Sequence, residues 1–399
     1  MVGSFSYAVR AILPLFVVMG IGCPVSLLAN VVEVSACGLL DQPNTTYRLI
    51  SDIAGVTGEC MVITADRVTF DGQGHSISGT GPIGAGVVVS GANRVAVTNL
   101  IVHDFDNGIQ FLGATGGTVR QTTVDRTSKG ISFINSTSML AESNDLTESF
   151  RAILAYDSTD VTVQHNNIWN PSYGVQLEYS YDSLVESNYM EAARKYAVYL
   201  EGGGYNKVLR NYAYGNRDGL YNVLSRNNDY TGNVIVDSSR YGFYIAGDSS
   251  DDVTLADGVF INSAVGHYEF DFYVGHGDIE GLRIIDTLIG QHFITEPIAF
   301  SYEDSRYGSV EFLEPVSGFG TSLSELIHFD LNLLSISPFS PEYDVPSMAT
   351  LYHIPRMAHP TILHDDQPCE GCAPLTLLVG DEVSFEATGA GEFSIGTVE

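Results

Sequence analysis

Gly108-Ile109-Gln110-Phe111 is followed 22 residues later by Gly130-Ile131-Ser132-Phe133, and again by Ala152-Ile153-Leu154-Ala155 and Gly174-Val175-Gln176-Leu177. Working outward, the same start (Gly or Ala, an apolar residue, any residue, usually another apolar one) recurs at Gly86, Ala197, Gly219, Gly242 and Gly266, at steps of 22 to 24. Each copy alternates with period two, so Ile109 and Phe111 face inward while Gln110 faces out. A second short strand follows about ten residues later, as in Val161-Thr162-Val163, before Asn, Asp, Ser and Gly close the turn. Such a unit is too small to bury its own apolar face, so it must stack on its neighbours. A leucine-rich repeat has a similar period but needs a Leu ladder, and a propeller blade needs about 40 residues. The period predicts an all-β chain: a right-handed parallel β-helix, a single-stranded solenoid of about ten rungs.

Two columns follow from that register. Val87, Ile109, Ile131, Ile153, Val175, Val198, Leu220 and Phe243 form an inward spine. Asn99, Thr122, Asn144, Asn166, Asn188, Asn211, Asn233 and Asp257 occupy matching turn points, where stacked amides satisfy buried polar groups along the coil axis. That column is read as structural.

Composition limits the function classes. Hydrophobic residues make up 44% and charged residues 17%, which suits a folded chain rather than a disordered polyelectrolyte. The formal charge is −30, from 48 acidic residues against 18 Lys and Arg. Such a surface repels phosphates and anionic headgroups, so nucleic acid is not an expected partner. Arg10 and the apolar run Ala11–Leu28 look like an export signal, with Val34-Ser35-Ala36 as one cleavage point and Ala29 as another. A retained anchor is the rival reading, because the run approaches spanning length. Once the signal is cleaved, no membrane span is expected.

The five cysteines are Cys23, Cys37, Cys60, Cys369 and Cys372. Cys23 lies in the signal, and the other four fit an oxidising compartment, paired as Cys37–Cys60 and Cys369–Cys372. Val34-Ser35-Ala36-Cys37 also fits a lipid-anchor site, and that alternative stays open. The expected organisation is a signal at 1–36, a coil with an N-terminal cap at 37–300, and a β-rich C-terminal cap or module at 301–399.

Cys37-Gly38, Tyr47-Arg48-Leu49, the run Cys60–Asp66 and the run Val68–His75 resemble the opening of right-handed β-helix surface proteins. The wider group includes the periplasmic copper-accessory protein of nitrous-oxide reductase and carbohydrate-binding and sugar-hydrolase β-helices. The resemblance covers about residues 37–300. It implies the pectin-lyase-like fold, which serves both enzymes and passive surface proteins. Gly308–Phe312, Ala349–Tyr352, Cys369–Cys372 and Val383–Phe385 resemble the segment that follows such coils. A Cys-x-x-Cys pair also serves zinc or redox chemistry, but a lone pair in an exported chain reads as a crosslink.

Candidate chemistry lies on outward positions. Tyr173, Tyr196 and Tyr241 stand just before the repeat start, and Tyr199, Tyr221 and Tyr244 two residues after it. Aromatic side chains with a hydroxyl suit sugar rings; the plainer reading is a solvated sheet that favours Tyr. Lys195, Arg217 and Arg240 form a basic column that suits a uronate carboxylate, or that neutralises nearby acids. Glu178 and Glu201 share an offset on adjacent rungs, the spacing of a retaining glycosidase pair. Any repeat makes such pairs, so their catalytic role is a weak candidate.

The pectate-lyase-like relatives hold calcium with clustered Asp and use an Arg base. No Asp cluster aligns beside Arg217 or Arg240, and His103-Asp104 is only a fragment of the epimerase Asp-Pro-His-Asp. His165, His267, His276 and His292 share no register, which leaves copper by analogy without support. No cofactor is expected beyond calcium, and no metal site is assigned. The sequence therefore points to a secreted or cell-surface protein, non-catalytic, with a polysaccharide or envelope glycan as partner. A polysaccharide lyase, hydrolase or epimerase is the second class, and a periplasmic metal accessory protein the third.

Overall fold

The computed structural model describes residues 30–261, 263, 270–320, 322–377 and 381–397. The chain winds into three parallel sheets, one strand of each per turn. The first sheet runs from Asn30–Val34 to Phe300–Asp304 and the third from Ile53–Val56 to Leu288–Ile289. The second runs from Gly38–Leu40 to His292–Ile298 and holds the quoted repeats. The coil has about 12 turns, more than the ten expected.

The register is direct. Ile109 pairs with Ile131, Ile131 with Ile153, Ile153 with Val175, and Val175 with Val198. The small residue at each start has a local cause. A Cβ on Gly130 would lie 2.5 Å from the carbonyl oxygen of Ala152 in the next rung. The spine from Val87 to Phe243 is fully buried, and Phe272 and His292 continue it. Each such apolar side chain contributes roughly 1.5–3 kcal/mol, available only when the neighbouring rung is present.

Two register expectations need correction. Gly242 lies under Asp271, 29 residues on, because Tyr241 pairs with Phe270. Gly266 is therefore not the next start; it lies outside the described residues. The turn has lengthened, and a Gly at nearly the right step mimicked the motif. In the amide ladder, Asn144 donates from its backbone and side chain to Asn166 Oδ1, and Asn166 does the same to Asn188. The series continues through Asn211 to Asn233. Asn99 and Asp257 stand one residue earlier, at the turn position with φ near +50°, beside Ser143 and Ser187 of other rungs. Asn and Asp favour both positions, which explains the slip.

The ends differ. Asn30–Val34 pairs in parallel with Thr45–Leu49, so residues 30–34 belong to the first sheet. A mature chain that began after Ala29 keeps this strand, whereas one that began after Ala36 loses it. The apolar run Ala11–Leu28 and Cys23 lie outside the described residues. Cys37 and Cys60 form a disulfide with Cα atoms 4.4 Å apart. It ties the first two turns together and leaves Cys37 no sulfur valence for a lipid. Among the described residues, no helix is long and apolar enough to cross a membrane.

After Asp304 the pairing becomes antiparallel. Gly308–Phe312, Ser347–Leu351, Val383–Ala387 and Ala373–Leu377 extend the first sheet, and Val316–Gly320 closes the second. A separate five-stranded antiparallel sheet joins Ile327–Asp330, Leu333–Ile336, Gly391–Thr397, Pro360–His364 and Gln367–Pro368. Cys369 and Cys372 are joined to each other there.

One contact links coil and cap. His292, fully buried, meets the Tyr343 hydroxyl at 2.9 Å through Nε2, and its Nδ1 has no partner among the described residues. Burial lowers its pKa from 6.5 to about 4. An unfolded His takes up its proton near pH 6.5, while the folded one resists until about pH 4. The stability tied to neutral His292 is thus present above pH 6.5 and drains away as the pH falls towards 4. The loss amounts to about 3 kcal/mol at 1.36 kcal/mol per unit. Urea titrations from pH 7 to 4 should show this acid slope, and His292→Phe should flatten it. An equal slope in both proteins would remove His292 as its source.

Candidate functional site

The outer face of the second sheet carries the sequence candidates. Tyr173 pairs with Tyr196, and Tyr199 with Tyr221 and then Tyr244. The row from Tyr199 is longer than the sequence reading found, because Tyr273 and Phe293 follow in register and Phe319 pairs with Phe293. The changed step hid these residues; the alternation in Phe270-Asp271-Phe272-Tyr273 was the available signal. Rings lie 5.5 Å apart from Tyr199 to Tyr221, 4.2 Å from Tyr221 to Tyr244, and 5.2 Å from Tyr244 to Tyr273, with the last two pairs within 7° of parallel. Tyr196 and Tyr241 brace this row at 4.4 Å from Tyr221 and 5.3 Å from Tyr244.

Rings that stack on one another spend much of their flat surface on the stack. The row is a stiff wall that offers hydroxyls and ring edges more than open faces. Burial raises the Tyr199 and Tyr221 hydroxyls well above the ordinary tyrosine range, with Glu201 adding to Tyr199 and Tyr244 to Tyr221. Both stay protonated in neutral water; Tyr199 already donates to Glu201, so it offers a ligand its acceptor oxygen.

The basic column divides. Arg240 forks onto Asp218, with Nε to Oδ1 at 2.7 Å and a second, shorter contact to Oδ2. Asp218 is fully buried, so Arg240 is spent on neutralising it. Lys195 donates to the Tyr173 hydroxyl at 3.1 Å and lies 4.9 Å from that ring's centroid. Arg217 is exposed, and it makes no side-chain hydrogen bond or ion pair among the described residues.

Glu178 and Glu201 are register partners, one rung or about 4.8 Å apart along the coil. Glu178 accepts a hydrogen bond from Gln176 Nε2, and Gln176 Oε1 accepts from Arg151 Nε at 2.7 Å. The relay Arg151–Gln176–Glu178 went unread in the sequence, since a Gln among outward residues carries no charge signal. Burial raises the Glu178 carboxyl, Glu201 adds to the rise, and Arg151 and Gln176 oppose it. Glu201 accepts from the Tyr199 hydroxyl at 2.8 Å. The arrangement places a carboxyl that burial makes harder to ionise one rung from a second acid.

A larger cavity, about 660 Å³, lies elsewhere, where the last coil turns meet the C-terminal sheets. Several of its acids already have partners. Asp304 pairs with Arg306, Asp286 accepts from the Ser305 backbone, and Glu303 accepts from Tyr352. Those bonds tie the last coil turns to the residues that follow.

Residues 62–242 match the family described as "NosD: Periplasmic copper-binding protein (NosD)". The chain is a parallel β-helix protein. The match covers the regular 22- and 23-residue turns and stops at Gly242, where the register changes. No curated protein matches the chain. Among solved structures, a double mutant of the periplasmic alginate epimerase AlgG is 14% identical over 64% of this chain and 70% of its own, with a TM-score of 0.48. A hyperthermoactive exopolygalacturonase from Thermotoga maritima is 9% identical over 73% and 87%, TM-score 0.46. A DFA-IIIase mutant from Arthrobacter chlorophenolicus A6 is 12% identical over 62% and 82%, TM-score 0.48. Likeness at this level says nothing about this chain's chemistry.

The copper in the family's description calls for a ligand set. Among the described residues, no three or more His, Cys, Asp or Glu side chains cluster to hold a metal. The four described cysteines are in disulfides, His292 is buried against Tyr343, and His276 meets Glu296 at 2.7 Å. His267 lies outside the described residues. The described residues do not fit copper, and no step is derived through it.

Proposed function

We propose that this is an extracytoplasmic β-helix protein that holds a polysaccharide along the outer face of its second sheet without cleaving it. The Cys37–Cys60 disulfide and the periplasmic description of the matched family support the location. One observation carries the binding reading: in a chain of net charge −30, Arg217 is exposed with no ion pair among the described residues, and its charge acts on the hydroxyl of Tyr196, which braces the stiff tyrosine row. An exposed guanidinium near ordered hydroxyls suits a uronate carboxylate and its neighbouring hydroxyls.

Binding of polygalacturonate, alginate and neutral glycans on an array tests this. Arg217→Ala should weaken binding of the acidic chains about tenfold or more, since a charged hydrogen bond is worth roughly 1.5–3 kcal/mol. The triple change Tyr199→Phe, Tyr221→Phe and Tyr244→Phe keeps the stacked rings and removes the hydroxyls, and it should weaken binding further. Unchanged binding in both variants would dismiss the face.

The raised carboxyl of Glu178 beside Glu201 favours a second reading, a glycoside hydrolase on the same face. Reducing-end release and unsaturation absorbance separate the two. Under the binding reading neither signal appears. Under the enzyme reading the wild type releases reducing ends and Glu178→Gln does not.

A further inference from the structure

The third sheet has its own outer face, and its character changes along the coil. Early turns present Thr123 and Asp125, then Asp145 and Thr147. Trp169 follows Thr147 in register, Tyr189 pairs with Tyr212, and Glu191 with Tyr214. The next turns carry Val234 and Val236, then Val259 and Ile261. Trp169, Tyr212 and Tyr214 are each 40% exposed. Exposed singly, such residues mean little; here they share adjacent turns on one flat surface.

The rings are fixed against each other. Trp169 lies 5.1 Å from Tyr189, and Tyr189 lies 5.6 Å from Tyr212 at 9° to parallel. The stack still leaves Trp169, Tyr212 and Tyr214 exposed, unlike the half-buried Tyr199, Tyr221 and Tyr244, so ring surface stays open to a ligand. Little side-chain entropy remains to be lost when a ligand lands on them. The rim is polar: Tyr189 donates its hydroxyl to Glu191, and Asn167 donates to Asp145 at 2.9 Å. Glu191 keeps acceptor capacity for a ligand hydroxyl.

Charge then selects the ligand. The outward positions from Asn167 to Ile261 on this sheet include one carboxylate, Glu191, and no cation. The whole chain carries −30, so an anionic chain gains nothing here. A purely apolar partner would leave the hydroxyls and Glu191 desolvated without partners. A neutral polysaccharide matches both features, with C–H faces for the rings and hydroxyls for the rim. One strand per turn also repeats the contact about every 4.8 Å, close to the advance of an extended sugar chain per unit.

We propose that Trp169, Tyr189, Tyr212 and Tyr214 form a second binding face, on the third sheet, for neutral polysaccharide. It goes beyond the acidic-glycan reading of the second sheet, and the two stand or fall separately.

The test uses the chain's single tryptophan, which makes Trp169 a private reporter of this face. Hydroxyethylcellulose, soluble xylan and polygalacturonate are titrated against the full mature protein. The first two should shift Trp169 emission and protect it from acrylamide quenching, and polygalacturonate should do neither. Tyr212→Ala with Tyr214→Ala should lower neutral-chain affinity about tenfold or more while circular dichroism and melting hold. Thr162→Ala, on the first sheet, should leave the Trp169 response unchanged. No response to either neutral chain, or an unaltered one in the double variant, overturns the proposal. So does a concentration-dependent Trp169 shift with dimer formation in the absence of glycan, which gives the face to a second copy.

Discussion

Asn166→Ala is expected to lower the unfolding free energy by about 3–5 kcal/mol, far more than an outward change such as Thr162→Ala. Asn166 is fully buried in the middle of the amide ladder. Its Oδ1 accepts both the backbone and side-chain N–H of Asn144, each at 3.0 Å, and its Nδ2 donates to the Ala141 carbonyl at 3.0 Å. Alanine strands those groups with no room for bulk water, at about 1–3 kcal/mol each. The damage reaches both neighbouring turns, because a solenoid is stabilised turn against turn. Chemical denaturation of the two variants is the measurement. A loss below about 1 kcal/mol for Asn166→Ala would mean that the ladder is incidental to stability.

That ladder also shows what the sequence could and could not reveal. Asn144, Asn166, Asn188, Asn211 and Asn233 were legible because one geometry repeats and one side chain satisfies it. Asn99 and Asp257 were misplaced because the left-handed turn position next door favours the same residue types. The inward spine was legible for a similar reason, since alternation has only one buried phase. Gly266 failed where the turn lengthened and periodicity lost its hold, and the aromatic row was cut at Tyr244 by the same change.

The site was legible as columns but not as partnerships. Lys195, Arg217 and Arg240 look equivalent by offset, yet each meets a different surrounding. Asp218 stands directly after Arg217 in sequence, while its carboxylate is taken by Arg240 of the next turn. On the third sheet Tyr189 and Tyr212 share one repeat offset and Trp169 and Tyr214 another, so that face was open to the same reading. It was passed over because its residues flank the turn rather than the motif used to find the period.

The Arg240–Asp218 pair gives the other large effect. Arg240→Met is expected to cost about 3–5 kcal/mol at pH 7, because it leaves a buried carboxylate without its counter-ion. Burial already lifts the Asp218 carboxyl above the ordinary aspartate range, and the Arg240 fork is the main force opposing it. Without the fork the folded pKa climbs further. A raised carboxyl pKa means that stability is greatest below the unfolded value and declines as pH rises through the folded one. The gap between Arg240→Met and wild type should therefore narrow on acidification towards pH 4. The double variant Arg240→Met with Asp218→Leu removes both charges, and it should recover most of the loss at pH 7. If the double variant is as unstable as the single one, the cost lies in packing and not in the orphaned charge. Arg217→Ala should move the melting temperature far less than Arg240→Met, because Arg217 acts on Asp218 only through its charge and makes no hydrogen bond to it among the described residues. The basic column thus contains one cation that the fold consumes and one that it leaves exposed, and melting and binding measurements should assign each to its own.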